Sequence, residues 1–280
     1  MPSLPSWVKS RTVVLLTAAT LLVIAAVVVF TFALTGNSGG QGSGIPTGPA
    51  SSVVLTVDQA LVAEAGQDIK VSGYIVSTGG KTVLASALAE SNPPQAGGGT
   101  IALTGLDPNA LVGLRSSAGQ AGLADVTWSD YTLVLEGVVV SGVFQVRATP
   151  PVELAPAGDV TVRYSPVSAP VSSGDQVWWA MDVVNTGQAP VDLTFSDSQR
   201  GDIILDQGDA DLYTWSANKG FTQEVLTVTL QPGKSFPVVL NDTLSVAPGT
   251  YNVTARITGM VGPADTAAPL PDIVTTLVVH

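Results

Sequence analysis

The sequence has no cysteine and a single histidine, His280, which is its last residue. The lack of cysteine excludes disulfides, thiolate metal sites and a cysteine nucleophile. A serine nucleophile needs a neighbouring base such as histidine, and a residue at the chain end is poorly held for that role. We therefore predict no catalytic residues, no cofactor-binding residues and no metal ligands, and a protein that is not an enzyme.

Charged residues are scarce, at 12% of the chain, and basic residues are the scarcer kind. All 22 acidic residues follow residue 57. Of the 11 basic residues, Lys9 and Arg11 precede it and 9 follow it, so the chain after residue 57 has a net charge of −13. This charge repels nucleic acid phosphates, whose binding depends on clustered lysine and arginine. The sequence predicts no nucleic acid partner.

One long run, Thr12 to Leu34, has no charge, glycine or proline. At ~1.5 Å per residue, a helix of this length crosses the ~30 Å hydrocarbon core of a bilayer. The competing interpretation, a cleaved signal peptide, calls for a shorter apolar region of ~7–15 residues. With Lys9 and Arg11 in front of the run, we predict a single-pass membrane protein with a transmembrane anchor at 12–35 in the lipid bilayer, residues 1–11 in the cytoplasm and the C-terminal domains extracytoplasmic.

The remaining chain is rich in Gly, Pro, Val, Thr and Ser, which favours a mainly β fold of short strands and tight turns. Residues 36–52 are mostly Gly, Ser and Pro and predict a flexible linker. The prolines at 150, 151 and 156 interrupt hydrogen bonding and predict a second linker at 150–159. We expect one β domain at 53–149 and a second at 160–280.

In the first β domain, Asp68 to Val76 alternates polar and apolar residues, as a half-buried strand does. Apolar residues in Thr82–Ser91 fall on one helical face and predict a short helix, and Asp107-Pro108 predicts the start of a second, ending at Leu114. A hairpin is expected about Ser141-Gly142. The order of elements favours a small OB-like barrel, with a β-sandwich as the alternative.

The second β domain shows strand patterns at regular spacing, separated by turn residues, which favours an immunoglobulin-like β-sandwich. The predicted strands are Val160–Tyr164, Gln176–Val184, Val191–Phe195, Asp202–Leu205, Leu212–Ser216, Val225–Leu230, Ser235–Leu240, Gly249–Thr258 and Val274–Val279.

Several motifs in this domain occur in the order found in one known family. They are Val183-Val184-Asn185-Thr186, Val191 to Asp202 (VDLTFSDSQRGD), Tyr213 to Lys219 (YTWSANK), Phe221-Thr222-Gln223, Leu230 to Lys234 (LQPGK) and Pro248-Gly249-Thr250-Tyr251. Over about 175–259 the sequence resembles the intracellular proteinase inhibitor (BsuPI) family. The resemblance implies an immunoglobulin-like sandwich and a protein partner, with a proteinase as the partner implied by the family name.

We therefore predict a membrane-anchored protein-binding module that acts as a proteinase inhibitor; the alternative is a structural or scaffolding subunit of a cell-envelope or membrane complex. Arginine and tryptophan supply much of the energy at protein interfaces. The residues predicted to contact the partner are Gln199, Arg200, Trp215, Ser216, Phe221, Thr222 and Gln223.

An acidic run in the same domain contains Asp202, Asp206, Asp209 and Asp211. Carboxylate oxygens are ligands for Ca²⁺, but the spacing lacks the glycine and the terminal glutamate of an EF-hand loop. The pattern favours a solvated acidic loop at 202–211, with a calcium site as the alternative.

Overall fold

The computed structural model describes residues 53–167, 169–208, 210–263 and 265–280. The described residues belong to one compact unit, Gly48–His280. The fold is mainly β, as the sequence predicts. The elements of the first half are β1 Val54–Thr56, α1 Val57–Ala60, β2 Asp68–Thr78, β3 Lys81–Ala89, β4 Gln95–Thr104, a 3-10 helix Pro108–Ala110, β5 Arg115–Ser116, β6 Val126–Trp128, β7 Leu133–Val140 and β8 Val143–Ala148.

Five strands of the first half close into a barrel. Their order is β2-β3-β4-β8-β7, and β7 pairs again with β2, so that the ring has no free edge. All neighbours in the ring are antiparallel except β4 and β8, which are parallel. The barrel interior is filled by side chains that include Ile75, Leu84, Ile101, Leu135 and Phe144, each at most 1% exposed. The strand order agrees with the barrel prediction for this half rather than with the sandwich alternative.

The helix predicted over Thr82–Ser91 is wrong, because this segment forms most of strand β3. A bulge between Ala85 and Ala87 interrupts the alternation of buried and exposed residues and mimics a helical spacing. The Ser86 hydroxyl, at the bulge, accepts the N–H of Gly99 in β4 at 2.9 Å. A Cβ atom at position 99 would lie 1.9 Å from an Asp58 carboxylate oxygen, so a larger residue there would require the exposed Asp58 side chain to move.

The other local predictions for this half are confirmed in part. Asp107 caps a helix that begins at Pro108, and its carboxylate accepts the N–H of Asn109 at 3.0 Å, but the helix is a single 3-10 turn that ends at Ala110. The hairpin turn lies at Ser141-Gly142, where φ is +51° and +77°. Two consecutive positive φ angles are typical of the tight turn that matches the twist of paired strands.

The strands of the second half are β9 Glu153–Ala157, β10 Val160–Ser165, β11 Gln176–Asn185, β12 Val191–Phe195, β13 Gly201–Gln207, β14 Ala210–Thr214, β15 Leu226–Leu230, β16 Ser235–Thr243, β17 Gly249–Ile257, β18 Met260–Val261, β19 Ala268–Pro269 and β20 Ile273–Val279. Strand β9 lies within the segment predicted as a linker at 150–159 and pairs with β10. The division of the chain into domains stays a prediction.

Three four-stranded sheets make up this half, in the orders β16-β11-β10-β9, β14-β13-β17-β20 and β15-β12-β18-β19. One hydrophobic core joins them and includes Trp179, Phe195, Ile203 and Tyr251. The arrangement is the immunoglobulin-like β-sandwich that the sequence predicts. Three of the outermost strands carry a proline, Pro156 in β9, Pro237 in β16 and Pro269 in β19.

Strand β11 is buried on both faces, because Ala180 and Asp182, on the side opposite Trp179, are also buried. Ala180 packs with the apolar cluster of the barrel half, against which Trp178 and Val239 also lie. The sheet that contains β11 is therefore covered by the sandwich core on one face and by residues of the first half on the other.

An ion pair holds this junction. Arg163 donates to both carboxylate oxygens of Asp182 at 2.7 Å, and Asp182 also accepts the N–H of Gly113 at 3.0 Å. The same guanidinium donates to the carbonyl oxygens of Asn109, at 2.9 Å, and Leu111, at 3.1 Å. Asp182 is 1% exposed, and a buried carboxylate is stable only when it is paired and hydrogen-bonded in this way. The residues after the 3-10 helix are thus fixed to the sandwich.

The localisation predicted from the sequence is corrected here. Among the described residues, no helix is long and apolar enough to cross a bilayer, which contradicts the prediction of a single-pass membrane protein. The predicted cytoplasmic segment 1–11, anchor 12–35 and linker 36–52 lie outside the described residues.

Candidate protein-binding surface

A buried carboxylate organises the residues that the sequence singles out. Asp202, at the start of β13, is 8% exposed. Its Oδ1 accepts the backbone N–H of Ile203 at 2.9 Å and that of Ser216 at 3.1 Å. Its Oδ2 accepts the Ser216 hydroxyl at 2.5 Å and the Gln199 side-chain amide at 3.3 Å. These bonds compensate the loss of hydration on burial, and they join the segment before β13 to the segment after β14.

The segment before β13 is held by its own polar groups. The backbone N–H of Gln199 donates to the Asp197 carboxylate at 2.8 Å, and the Thr258 hydroxyl donates to the Gln199 carbonyl at 2.7 Å. The Arg200 guanidinium donates to the Asp197 carbonyl oxygen and lies 4.8 Å from the centre of the Phe195 ring. Arg200 is therefore held by internal contacts, including a cation–π contact.

The segment after β14 is built around Trp215. Its indole N–H donates to the Asn241 carbonyl at 3.0 Å, and its ring centre lies 6.1 Å from that of Phe221. The Lys219 ammonium lies 4.7 Å from the centre of the same indole and 3.0 Å from an Asp242 carboxylate oxygen. Trp215 thus fixes the chain on both sides of Gly220.

Tyr213 joins this group by donating its hydroxyl to the same Asp242 carboxylate oxygen at 3.0 Å. Burial acts to raise the pKa of Asp242, but hydrogen bonds from Lys219, from Tyr213 and from the N–H of Thr243 outweigh it and hold that pKa below its ordinary value. Burial, and next the hydrogen bond to Asp242, raise the pKa of Tyr213. At neutral pH the carboxylate is charged and the phenol is neutral, so the network is intact.

Residues 221–225, here called the exposed segment, follow this anchor and form no strand. Thr222 exchanges two hydrogen bonds with Ser198: its N–H donates to the Ser198 hydroxyl at 2.8 Å, and its carbonyl accepts the Ser198 N–H at 2.9 Å. The same carbonyl accepts the N–H of Glu224 at 2.9 Å, which closes a tight turn around Gln223. Val225, at its end, is 70% exposed.

The exposed segment leads directly into β15, which is the last strand of its sheet. Within the described part of the chain, β12 is the strand with which β15 pairs, over Val191↔Leu230 to Phe195↔Leu226. The hydrogen-bonding edge of β15 that faces away from β12 is therefore open. An open edge can accept a further strand from another protein.

The structure brings the predicted contact residues to this one region, in three groups. Gln199 and Ser216 meet at Asp202, Trp215 packs on Phe221, and Thr222 is bound to Ser198. Gln223 lies at the exposed turn, and Arg200 packs on Phe195. Most of these side chains hold the backbone in place. Their role in contacting a partner stays a prediction.

Two important residues were not predicted from the sequence. Asp242 is distant in the chain from the residues it binds, and its position gives no local pattern. Val225 was counted as the first residue of a strand, but β15 begins one residue later. A large apolar side chain directly after the Phe221-Thr222-Gln223 motif is the signal that could have identified it.

The acidic run does not converge on one point. Asp206 accepts an amide N–H from Asn252 at 2.8 Å and faces Asp211 across the β13–β14 pair, while Asp202 is buried elsewhere. Asp209 is not among the described residues. Within the part of the chain that the structure describes, no three His, Cys, Asp or Glu side chains come together as a metal site would require.

Asp202 and the motif residues around it lie in the region that a family comparison identifies. Residues 167–261 match the model of the intracellular proteinase inhibitor (BsuPI) family. The resemblance stated from the sequence motifs is confirmed. The match leaves the barrel half outside the BsuPI model, and the description of that family as intracellular also disagrees with the predicted extracytoplasmic location.

Two solved structures show a weaker likeness. The CARDB domain of the PF1109 protein from Pyrococcus furiosus, in complex with di-metal ions, is 16% identical; the similarity covers 47% of this chain and 96% of that one, at a TM-score of 0.24. A Bordetella pertussis protein assigned as ApaA is 17% identical over 47% of this chain and 98% of that one, at a TM-score of 0.25. Scores this low carry no argument about this chain. No curated protein matches it significantly.

Proposed function

We propose that the protein is a protein-binding module that inhibits a proteinase, and that the exposed segment 221–225 enters the proteinase active site. The observation that carries the proposal is the geometry of this segment. It is exposed along most of its length, yet its start is fixed, because Phe221 packs on Trp215 and Thr222 is hydrogen-bonded to Ser198, and its end continues into β15, which pairs with β12.

Rigidity at such a segment favours inhibition over cleavage. A flexible loop loses conformational entropy when a proteinase binds it, whereas a loop already held in its bound shape binds with a smaller entropic cost. The contacts of Asp202 with Gln199 and Ser216 hold the two segments that carry these anchors, one with Ser198 and one with Trp215. The match of residues 167–261 to an inhibitor family supports the same function and is consistent with a protein that is not an enzyme.

The experiment is an inhibition assay of the purified full chain against serine proteinases of different specificity. Wild-type protein is expected to slow at least one of them, with an inhibition constant that can be measured. A variant with residues 221–225 replaced by glycine and serine should lose this effect. The matched control carries the same replacement at 118–122, an exposed turn of the barrel half of equal length.

Two results would overturn the proposal. One is a wild-type chain that inhibits none of the proteinases tested; the other is a chain that inhibits equally well after the 221–225 replacement. Stable binding of a proteinase without loss of its activity would favour the scaffolding alternative instead.

A further inference from the structure

Strand β15 presents two different rows of side chains. Leu226, Val228 and Leu230 pack against the sandwich core, whereas Thr227 and Thr229 are exposed. Successive side chains of a strand point to opposite faces, and Val225, which lies directly before β15 and two positions before Thr227, is exposed like the outward row. Val225 is the apolar member of this row and follows directly after the tight turn that Thr222 and Glu224 close.

The two threonines of this row have partners on the same sheet. The hydroxyls of Thr227 and Thr194 are 3.0 Å apart, and the Thr229 hydroxyl donates to the Asp192 carboxylate at 2.6 Å. Val225 lies beyond the β12 pairing, which ends at Leu226. Its side chain is therefore the one in the row that extends past the sheet.

We propose that the target proteinase pairs with the open edge of β15 as an added strand and takes Val225 into its main specificity pocket. This inference rests on the proposed function and specifies its partner. In strand addition the main-chain hydrogen bonds supply affinity, and pockets for alternate side chains supply specificity. The other end of the same sheet, β19, carries Pro269, which has no N–H to donate to an added strand.

The chemistry of Val225 specifies the class of target. A short, branched, uncharged side chain fits a small apolar pocket such as that of elastase. It leaves the acidic base of a trypsin-type pocket without a cation, and an unpaired buried charge is costly. The target is therefore a proteinase that cleaves after small apolar residues.

The test compares inhibition constants of the full chain and its variants for elastase and trypsin. Val225→Asp should weaken inhibition of elastase by roughly 30-fold or more, the effect of losing a central apolar contact. Val225→Lys should weaken it similarly and gain inhibition of trypsin. The matched control is Val274→Asp, which alters a valine that is 67% exposed on strand β20 and should leave inhibition unchanged.

Failure of this inference can be told apart from failure of the proposed function. Suppose that the wild-type chain inhibits a proteinase and that the 221–225 replacement abolishes this inhibition, but that Val225→Asp and Val274→Asp leave the same inhibition constant. Val225 is then not the specificity residue, and the proposed function stands. Wild-type inhibition of trypsin but not of elastase would also overturn the inference. Thermal unfolding of each variant establishes that a loss of inhibition is not caused by a loss of the folded state.

Discussion

At the scale of single residues, buried charges determine the geometry of the candidate surface. Asp202 accepts hydrogen bonds from two backbone N–H groups and two side chains, although it is nearly inaccessible to water. A buried carboxylate without hydrogen-bond partners lowers the stability of the fold, so the partners of Asp202 are held firmly. The residues of the family motif around it thereby acquire defined positions.

Asp202→Ala is expected to destabilise the protein by about 2–3 kcal/mol, because the donors of Gln199 and Ser216 lose a charged acceptor inside the protein. It should also weaken inhibition, since the exposed segment follows Ser216. Urea unfolding and the inhibition constant measure the two effects. The control is Asp206→Ala, at a more accessible site in the same strand, which should change stability by less than about 0.5 kcal/mol.

At the scale of elements, the hairpin between β7 and β8 has a suboptimal turn residue. Ser141 has a positive φ of +51°, in a region that suits asparagine and glycine better than serine. We expect Ser141→Asn to stabilise the protein by roughly 0.5–1 kcal/mol. The urea midpoint should rise, and a fall would show that the turn is not formed as described.

The Asp242 network also belongs to this scale, because it joins β14, β16 and the turn at Lys219. The folded-state pKa of Asp242 is below its ordinary value of 3.8, so its charged form stabilises the fold at neutral pH. That contribution is lost as the pH falls from the ordinary value through the lower, folded-state one. The expected result is a steeper loss of stability in acid for the wild type than for Asp242→Asn.

The measurement is the free energy of unfolding between pH 6 and pH 2 for both proteins, with other carboxylates contributing equally to each. Parallel curves would contradict the predicted shift. Tyr213→Phe offers a second control, because it removes one donor to Asp242 and should reduce the difference without abolishing it.

Strand patterns predicted the second half well and the first half less well. Each predicted strand of the sandwich occurs within a few residues of its expected bounds, since alternation and turn residues are local signals. The bulge at Ala85–Ala87 breaks the alternation that identifies a strand, and Pro156 makes β9 look like the end of one. The motif residues located the candidate surface because they are local in the sequence, whereas Asp242 binds residues far from it in the chain and could not be found from the sequence.

At the scale of the whole molecule, the contacts of Asp182 and Arg163 join the two halves of the described chain. The pair lies where Gly113 approaches the sandwich, and a Cβ atom there would lie 3.1 Å from that of Ala180. Such close packing indicates that the halves unfold together. Calorimetry of the wild type should show one cooperative transition in which the barrel half and the sandwich half unfold together.

Asp182→Ala should destabilise the protein by roughly 3–5 kcal/mol, because it leaves the Arg163 guanidinium, which is 19% exposed, without its carboxylate. The control is Asp272→Ala, which breaks the more accessible pair with Arg256 and should cost less than about 1 kcal/mol. Equal effects of the two substitutions would contradict the structural role of the junction. Two separate transitions in the wild type would show that the halves are independent.

The prolines at the ends of the sheets bear on how the protein behaves at high concentration. Pro156, Pro237 and Pro269 each remove a donor from an outermost strand, so copies of the chain cannot readily stack at those ends into fibrils. The outermost strands β14, β15 and β20 have no proline. Concentrated samples without a bound proteinase are therefore expected to aggregate through edges of this kind, and a proline introduced at Thr227 should delay the aggregation that proceeds through β15.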